Sequence, residues 1–280
     1  MLGVFGMLTT VGAHWSTAVH SDPSRIVSTE FLPFADGVWA NCPSILMSFV
    51  GCLFIQRVIA PSMRWAIELA TCRQLPVAKQ NEFATRLVGS AHAISACLMC
   101  THTIVSLQPT QSLYGGSPAM SRIIGISTGH FLWELMVSIQ YQYGVESMLH
   151  AVVGALLYSQ ALRPFAQWYA CRALMFELST PLLHTRWLLI VLDLGHTPAC
   201  TAVNISFALV FFCSRIILGW YWAMLMLWDL HDVWQSHVIS GRICLMIIAL
   251  LILVMSGLNL CWMNRIVRSA INGAGRTKLR

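Results

Sequence analysis

The feature that most constrains this chain is a series of seven apolar stretches, most of them long enough to cross a lipid bilayer as a helix. A bilayer core about 30 Å thick needs about 20 apolar residues in a helix. The stretches run approximately over residues 38–59, 87–107, 121–139, 146–162, 168–192, 202–228 and 243–263, and the fourth is the shortest. They predict an all-α, multi-pass transmembrane bundle of about seven spans.

The composition excludes the other broad classes of protein. Charged residues make up 10% of the 280 residues and hydrophobic residues 57%, whereas an ordinary soluble domain carries about 25% charged residues. A disordered chain would be poor in aliphatic and aromatic residues. The net charge of +6 is typical of basic loops on one side of a membrane and does not indicate nucleic-acid binding.

Seven spans place the two termini on opposite sides of the membrane. Ten basic residues fall on one side, namely Arg57, Arg64, Arg73, Lys79, Arg86, Arg265, Arg268, Arg276, Lys278 and Arg280. Five fall on the other, namely Arg25, Arg122, Arg163, Arg172 and Arg242. Because basic loops stay inside, this division predicts an outer N-terminus and a C-terminus in the cytosol or mitochondrial matrix. The connection 60–86, which holds Pro61 and Pro76, is predicted to lie on the surface.

Several polar residues fall inside the apolar stretches, where an ionisable group costs about 2.5–3.5 kcal/mol on insertion scales. Such groups normally face the bundle interior. The candidates for a polar interior are His130, Glu134, His150, Glu177, His184, Arg186, Asn204 and Arg215. They could pair with one another and fix the helices, or they could line a chamber for a lipid headgroup or a catalytic centre. Pro181 is expected to kink the fifth stretch.

Two further patterns bear on the bundle. Gly125 and Gly129 form a G-x-x-x-G pattern in the third stretch, which permits close helix contact within the chain or with another subunit. Ten cysteines are scattered mostly through the apolar stretches, where thiols usually act as small hydrophobic groups. Cys97, Cys100 and His102 lack the spacing of a haem attachment site and the further ligands that zinc needs. We predict no metal site and no cofactor.

Five ordered segments of the chain resemble one membrane-protein family. Residues 176–187 read FELSTPLLHTRW, and the supporting segments are 82–92, 129–134, 204–215 and 259–266. The set is similar to the TLC domain (TRAM/LAG/CLN8 homology), which includes ceramide synthases and lipid-regulating membrane proteins. The resemblance covers about residues 82–268. It implies a curved bundle around a polar-lined chamber, preceded by an N-terminal segment (1–81) and followed by a basic tail (269–280).

The chain departs from the family pattern at several positions. Three residues differ from those usual in the family: His184 replaces asparagine, His130 replaces tyrosine, and Glu134 replaces aspartate. Ceramide synthases carry a paired histidine in the fourth span, thought to serve acyl transfer, whereas here Leu149 precedes a single His150. The resemblance is therefore closer to family members without established chemistry, which are linked to phospholipid composition and membrane fluidity.

Three hypotheses of function follow. The first is a membrane protein that binds or senses a lipid without catalysis, with a phospholipid or sphingolipid as ligand and Arg186 or Arg215 meeting an anionic headgroup. The second is an accessory subunit of a larger membrane complex, for example a respiratory one, because its motif residues have changed. The third is an acyl-CoA-dependent acyltransferase using His150. The resemblance implies an endomembrane location, and an accessory subunit would imply the mitochondrial inner membrane.

Overall fold

The computed structural model describes residues 34–107, 113–234 and 239–277. Within these ranges the chain is helical apart from short turns and one isolated antiparallel bridge between Tyr114 and Phe165. A helix satisfies its backbone N–H and C=O groups inside its own segment, as a chain in hydrocarbon must. The prediction of an all-α membrane bundle is confirmed.

We number the α-helices of the described residues in chain order. They are α1 (Phe34–Phe54), α2 (Ala60–Thr71), α3 (Gln80–Leu107), α4 (Pro118–Gln140), α5 (Val145–Gln160), α6 (Gln167–Ala173), α7 (Thr180–Val191), α8 (Pro198–Phe211), α9 (Leu218–Val233) and α10 (Ile239–Thr277). The π-helical segments Ile55–Ile59 and Phe212–Ile217 join α1 to α2 and α8 to α9. The 3-10 segment Leu174–Ser179 joins α6 to α7, and a second, Val77–Lys79, precedes α3.

These elements form seven helical segments in the described part of the chain, one for each predicted span. Four of them are long and apolar enough to cross a membrane, namely Asp36–Thr71, Val77–Leu107, Pro198–Val233 and Gly241–Ile271. The other three are α4, α5 and the α6–α7 segment. Helix α5 has only 16 residues, and the interior-facing helix α4 buries small and polar residues such as Ser127 and Thr128. Residues that face protein need not be as apolar as residues that face lipid.

Contacts at the two ends of the bundle show that successive segments run in opposite directions. At the first end, the Asn41 side chain donates to the Leu162 carbonyl over 3.3 Å. At the second end, Arg73 donates to the Leu192 carbonyl over 2.8 Å, and the Thr85 hydroxyl lies 3.1 Å from that of Tyr143. The second end therefore holds basic residues of the described ranges that the sequence assigns to the inner side, such as Arg73 and Arg86.

The connection 60–86 begins as a continuation of the first helix, which runs to Thr71 before the chain turns, and its location at the membrane surface stays a prediction. Proline normally removes one helical hydrogen bond and clashes with the carbonyl four residues earlier. Here Pro61 stands at the start of α2, directly after the π-helical Ile55–Ile59. The wider π turn changes the hydrogen-bond register, so the helix passes the proline without ending.

The fifth predicted span is not a uniform helix. It tightens from α6 into the 3-10 segment Leu174–Ser179, and Pro181 then stands in the first turn of α7. Proline is tolerated there because first-turn N–H groups have no intrahelical acceptor. The predicted irregularity at Pro181 is present, and it places Glu177 in the 3-10 segment, where it faces the bundle interior.

The G-x-x-x-G pattern is an internal helix contact. A Cβ atom on Gly129 would lie 2.3 Å from the Ile45 carbonyl oxygen, and one on Gly125 would lie 3.0 Å from the Ser44 Cβ. Helix α1 therefore packs directly on the backbone of α4. This contact ties the segment before residue 82 to the rest of the bundle, next to His130 of α4.

Candidate functional site

A cavity of about 1460 Å³ lies between the helices, and we call it the chamber. It reaches the second end of the bundle, where Tyr143 and Gly144 of the α4–α5 turn and Gly195 of the α7–α8 turn line it. All eight polar residues proposed from the sequence line the chamber, namely His130, Glu134, His150, Glu177, His184, Arg186, Asn204 and Arg215. The structure brings them together from six helical elements, while their role in binding stays a prediction.

The deepest polar feature of the chamber is the ion pair between Arg215 and Glu177. A terminal nitrogen of Arg215 lies 3.1 Å from Glu177 Oε1, and both side chains are largely buried. Arg215 Nε also donates to the Phe176 carbonyl over 3.0 Å. The hydroxyl of Thr180 donates to the second carboxylate oxygen of Glu177 over 2.6 Å.

Two more polar side chains complete this cluster. Ser179 Oγ accepts from Arg215 Nε over 3.2 Å, and Asn259 Oδ1 accepts from Arg215 over 3.4 Å. Burying an ion pair is tolerable only when the remaining donors and acceptors are also satisfied. Arg215 meets this condition through contacts within the protein. The sequence did not identify Ser179, Thr180 and Asn259 as its partners.

Two of the histidines that line the chamber, His130 and His184, are held by neighbouring side chains. The His130 ring stacks on the His92 ring with centroids 3.8 Å apart and an angle of 6°. His92 Nε2 lies 3.2 Å from Ser127 Oγ, and His130 Nδ1 lies 3.7 Å from Cys52 Sγ. His130 is buried and contacts α3 through His92 and α1 through Cys52.

His184 stands on the opposite side of α3. Its Nδ1 lies 2.9 Å from Ser90 Oγ, and its ring packs so close to Gly89 that a Cβ atom there would lie 2.9 Å from His184 Cε1. Glycine at position 89 thus makes room for an imidazole. This contact fixes α7 against α3 and sets the direction of Arg186, half a turn further along α7.

His150 lies between two aromatic rings, with centroids 5.6 Å from Phe131 and 5.4 Å from Trp262. Its Nδ1 is buried and has no hydrogen-bond partner among the described residues. His150 lines both the chamber and a second, smaller cavity. It therefore marks the junction between the two.

The second cavity, which we call the apolar pocket, has a volume of about 120 Å³. It extends from the Glu177–Arg215 pair towards the first end of the bundle, between α5, α6, α9 and α10. Its walls are mainly aliphatic and aromatic side chains, including Leu157, Trp222, Ala223, Met226, Ile252 and Met255. A polar chamber thus leads into an apolar recess.

The second end of the chamber carries ion pairs that the sequence did not predict. Arg86 lies 2.7 Å from Glu82. Arg265 holds both carboxylate oxygens of Glu146, at 2.5 and 2.7 Å, and Trp262 Nε1 donates to the same carboxylate over 3.1 Å. The Arg265–Glu146 pair joins residues 119 positions apart, so spacing alone could not reveal it, whereas Arg86 and Glu82 stand four positions apart on one helix.

Arg186 differs from the other arginines of the chamber. Its Nε donates to the Asn204 side-chain oxygen, but no carboxylate of the described residues lies within 4.0 Å of it. Arg186 is one of the residues that line the chamber. Glu134 is the acidic residue in the same situation. It lines the chamber, and no cation of the described ranges lies within 4.0 Å of its carboxyl group.

Comparison with known proteins decides the family. The model described as TLC domain matches residues 82–268, which is well over half of the chain. This protein belongs to the TLC domain family. The match includes every residue of the chamber proposed from the sequence, from His130 to Arg215.

Curated relatives support the TLC domain assignment. The chain is 24% identical over 271 residues to topoisomerase I damage affected protein 4 of Saccharomyces cerevisiae, covering 93% of this chain and 95% of that protein. It is 28% identical over 162 residues to TLC domain-containing protein 4-B of Danio rerio, covering 54% and 60%. An uncharacterized TLC domain-containing protein of S. cerevisiae is 30% identical over 109 residues, and there the match spans 38% of this chain and only 34% of the relative.

Proposed function

We propose that this TLC domain protein is an integral membrane protein that binds a lipid in its chamber and does not act as an enzyme. The observation that carries the proposal is the continuity of a charged, histidine-lined chamber with an apolar pocket. A ligand that fits both must be amphipathic. Its polar head would occupy the chamber, and the end of an acyl chain would enter the apolar pocket.

Arg186 supports an anionic group on this lipid. Guanidinium groups bind phosphate and carboxylate by paired hydrogen bonds. Arg186 lines the chamber, and Asn204 accepts a hydrogen bond from its Nε. Arg215 is already satisfied by Glu177 and its neighbours. An unpaired cation inside a membrane protein is costly, and a bound anionic headgroup would offset that cost.

Retention of lipid by the purified protein tests the proposal. We expect native mass spectrometry of the full chain to detect a co-purified phospholipid, and Arg186→Gln to lower the retained fraction about tenfold, the scale of a charge-assisted hydrogen bond. Arg122→Gln is the matched control, because Arg122 is exposed near the first end and does not line the chamber. A lipid-free wild-type protein, or equal retention by both variants, would refute the proposal.

One observation favours an acyltransferase as the second candidate, because His150 stands where a head in the chamber meets a chain in the apolar pocket. A general base, however, is normally oriented by a third group bonded to its other ring nitrogen. His150 Nδ1 has no such partner in the described part of the protein, which supports binding over catalysis.

An assay of acyl transfer distinguishes the two candidates. The purified protein would be supplied with acyl-CoA and a sphingoid base, and wild type would be compared with His150→Ala. The binding proposal predicts no transfer above background in either protein. Transfer by the wild type that His150→Ala abolishes would favour the enzyme instead.

A further inference from the structure

We propose that the head bound in the chamber is zwitterionic, with its anionic group on Arg186 and an ammonium group on Glu134. This inference rests on the proposed function, since it assumes that the chamber holds a lipid. It adds the class of lipid, namely an aminophospholipid whose short headgroup carries both charges.

The first argument is the charge distribution around the chamber. Three arginines that line it are each paired with an acid, in the pairs Arg86–Glu82, Arg215–Glu177 and Arg265–Glu146. In the described ranges, Arg186 and Glu134 line the same chamber without an opposite charge within 4.0 Å. The protein therefore leaves one basic and one acidic side chain for a ligand, and their formal charges cancel.

The second argument is that Glu134 has no cation of its own. The buried cation of the chamber, Arg215, is already bound to Glu177. The neighbouring His130 is committed to His92 and Cys52. An isolated carboxylate inside a membrane protein is costly, and an ammonium group that donates to it would remove most of that cost.

The third argument is that the two charges lie at the same level of the bundle. Helix α3 is fixed against α4 by the contacts of His92 with Ser127 and of Thr85 with Tyr143. Position 134 falls between residues 127 and 143. Helix α3 is fixed against α7 by the contact of Ser90 with His184, half a turn before Arg186. Both charges thus lie in the band of the chamber beside residues 85–92.

The experiment compares two lipids that share their phosphate and their tails. Dioleoylphosphatidylethanolamine carries an ammonium group, and dioleoylphosphatidylglycerol carries hydroxyls in its place. The two would be titrated in competition into the purified full-length protein, and native mass spectrometry would measure the bound ratio. We expect the wild type to prefer the ethanolamine lipid about tenfold, which is the scale of one hydrogen-bonded charge pair.

Three variants isolate the role of Glu134. Glu134→Gln keeps the shape of the side chain. It should bring the ratio of bound phosphatidylethanolamine to bound phosphatidylglycerol close to one, while binding of the phosphatidylglycerol persists. Glu134→Asp keeps the charge and should retain the preference. Asp36→Asn, a carboxylate-to-amide change at an exposed position of α1, should match the wild type.

The outcomes separate this inference from the function on which it rests. Equal binding of the two lipids by the wild type, or an unchanged preference in Glu134→Gln, would overturn the zwitterion assignment while leaving lipid binding intact. Binding of neither lipid by the folded wild type would overturn the proposed function as well.

Discussion

Arg215 and Glu177 lie 38 positions apart in the sequence, and a guanidinium nitrogen of the first stands 3.1 Å from a carboxylate oxygen of the second. The pair is buried beneath the chamber and joins the 3-10 segment Leu174–Ser179 to the π-helical Phe212–Ile217. Two irregular helical segments thus meet at one ion pair. This relationship gives the base of the chamber a structural role.

Removing one member of this pair should destabilise the protein strongly. Arg215→Met would leave the Glu177 carboxylate buried and unpaired, which typically costs about 3–5 kcal/mol. Thermal unfolding in detergent would show a large decrease in Tm. Arg215→Met combined with Glu177→Leu should recover much of the loss, since no charge stays buried. A single variant as stable as the wild type would contradict the structural role.

The contact of α1 with α4 should be sensitive to a single methyl group. Gly129→Ala would place its Cβ 2.3 Å from the Ile45 carbonyl oxygen, so the helices must separate, at a cost of about 1–3 kcal/mol typical of overpacking. Gly51→Ala is the matched control, because nothing lies within 4 Å of its Cβ. Alanine there should be neutral or slightly stabilising. Equal stability of the two variants would show that the close packing is absent.

The apolar pocket should select the length of the bound chain. Ala223→Phe would fill part of the 120 Å³ volume and should shift the co-purified lipids towards shorter chains, as measured by mass spectrometry of the extracted lipids. Met224→Phe, at the exposed neighbouring position, should leave the chain lengths unchanged. An identical chain distribution in both variants would show that the chain does not enter this pocket.

The distribution of basic residues predicts the orientation of the bundle. The sequence assigns ten of them to one side, which includes Arg73, and five to the other. Because Arg73 lies at the second end, the positive-inside rule places the second end inside. Glycosylation acceptor sequences fused to either terminus provide the measurement in an endomembrane. Only the N-terminal fusion should acquire a glycan. A glycan on the C-terminal fusion would show that the orientation is the opposite of the predicted one.

Much of the fold could be predicted from the sequence. Long apolar stretches must cross the bilayer, and backbone N–H and C=O groups without hydrogen-bond partners are costly in lipid, which leaves few alternatives to helices. The convergence of polar positions such as Glu134 and Arg186 on one cavity also followed, since polar groups at membrane depth avoid lipid. Their partners could not be predicted. Arg215 and Glu177 stand 38 positions apart, so whether Arg215 meets Glu177 or a ligand depends on how two separate helical segments pack.

The sequence also did not reveal where helices stay continuous. Pro61 and Pro76 indicated a surface connection, but the π-helical turn before Pro61 carries the first helix on to Thr71. The apolar pocket was likewise missed. Its walls come from four separate helical elements, and residues such as Ala223 and Ile252 look like any other core position until those elements are assembled.

The most direct test of the account is a cryo-EM structure of the wild-type protein in nanodiscs that contain phosphatidylethanolamine and phosphatidylglycerol. We predict a lipid in the chamber, with its phosphate within hydrogen-bond distance of the terminal nitrogens of Arg186, its amino group beside Glu134, and a chain end among the side chains of the apolar pocket. A chamber that holds only solvent, with Arg186 turned to bind Glu134 directly, would contradict the account.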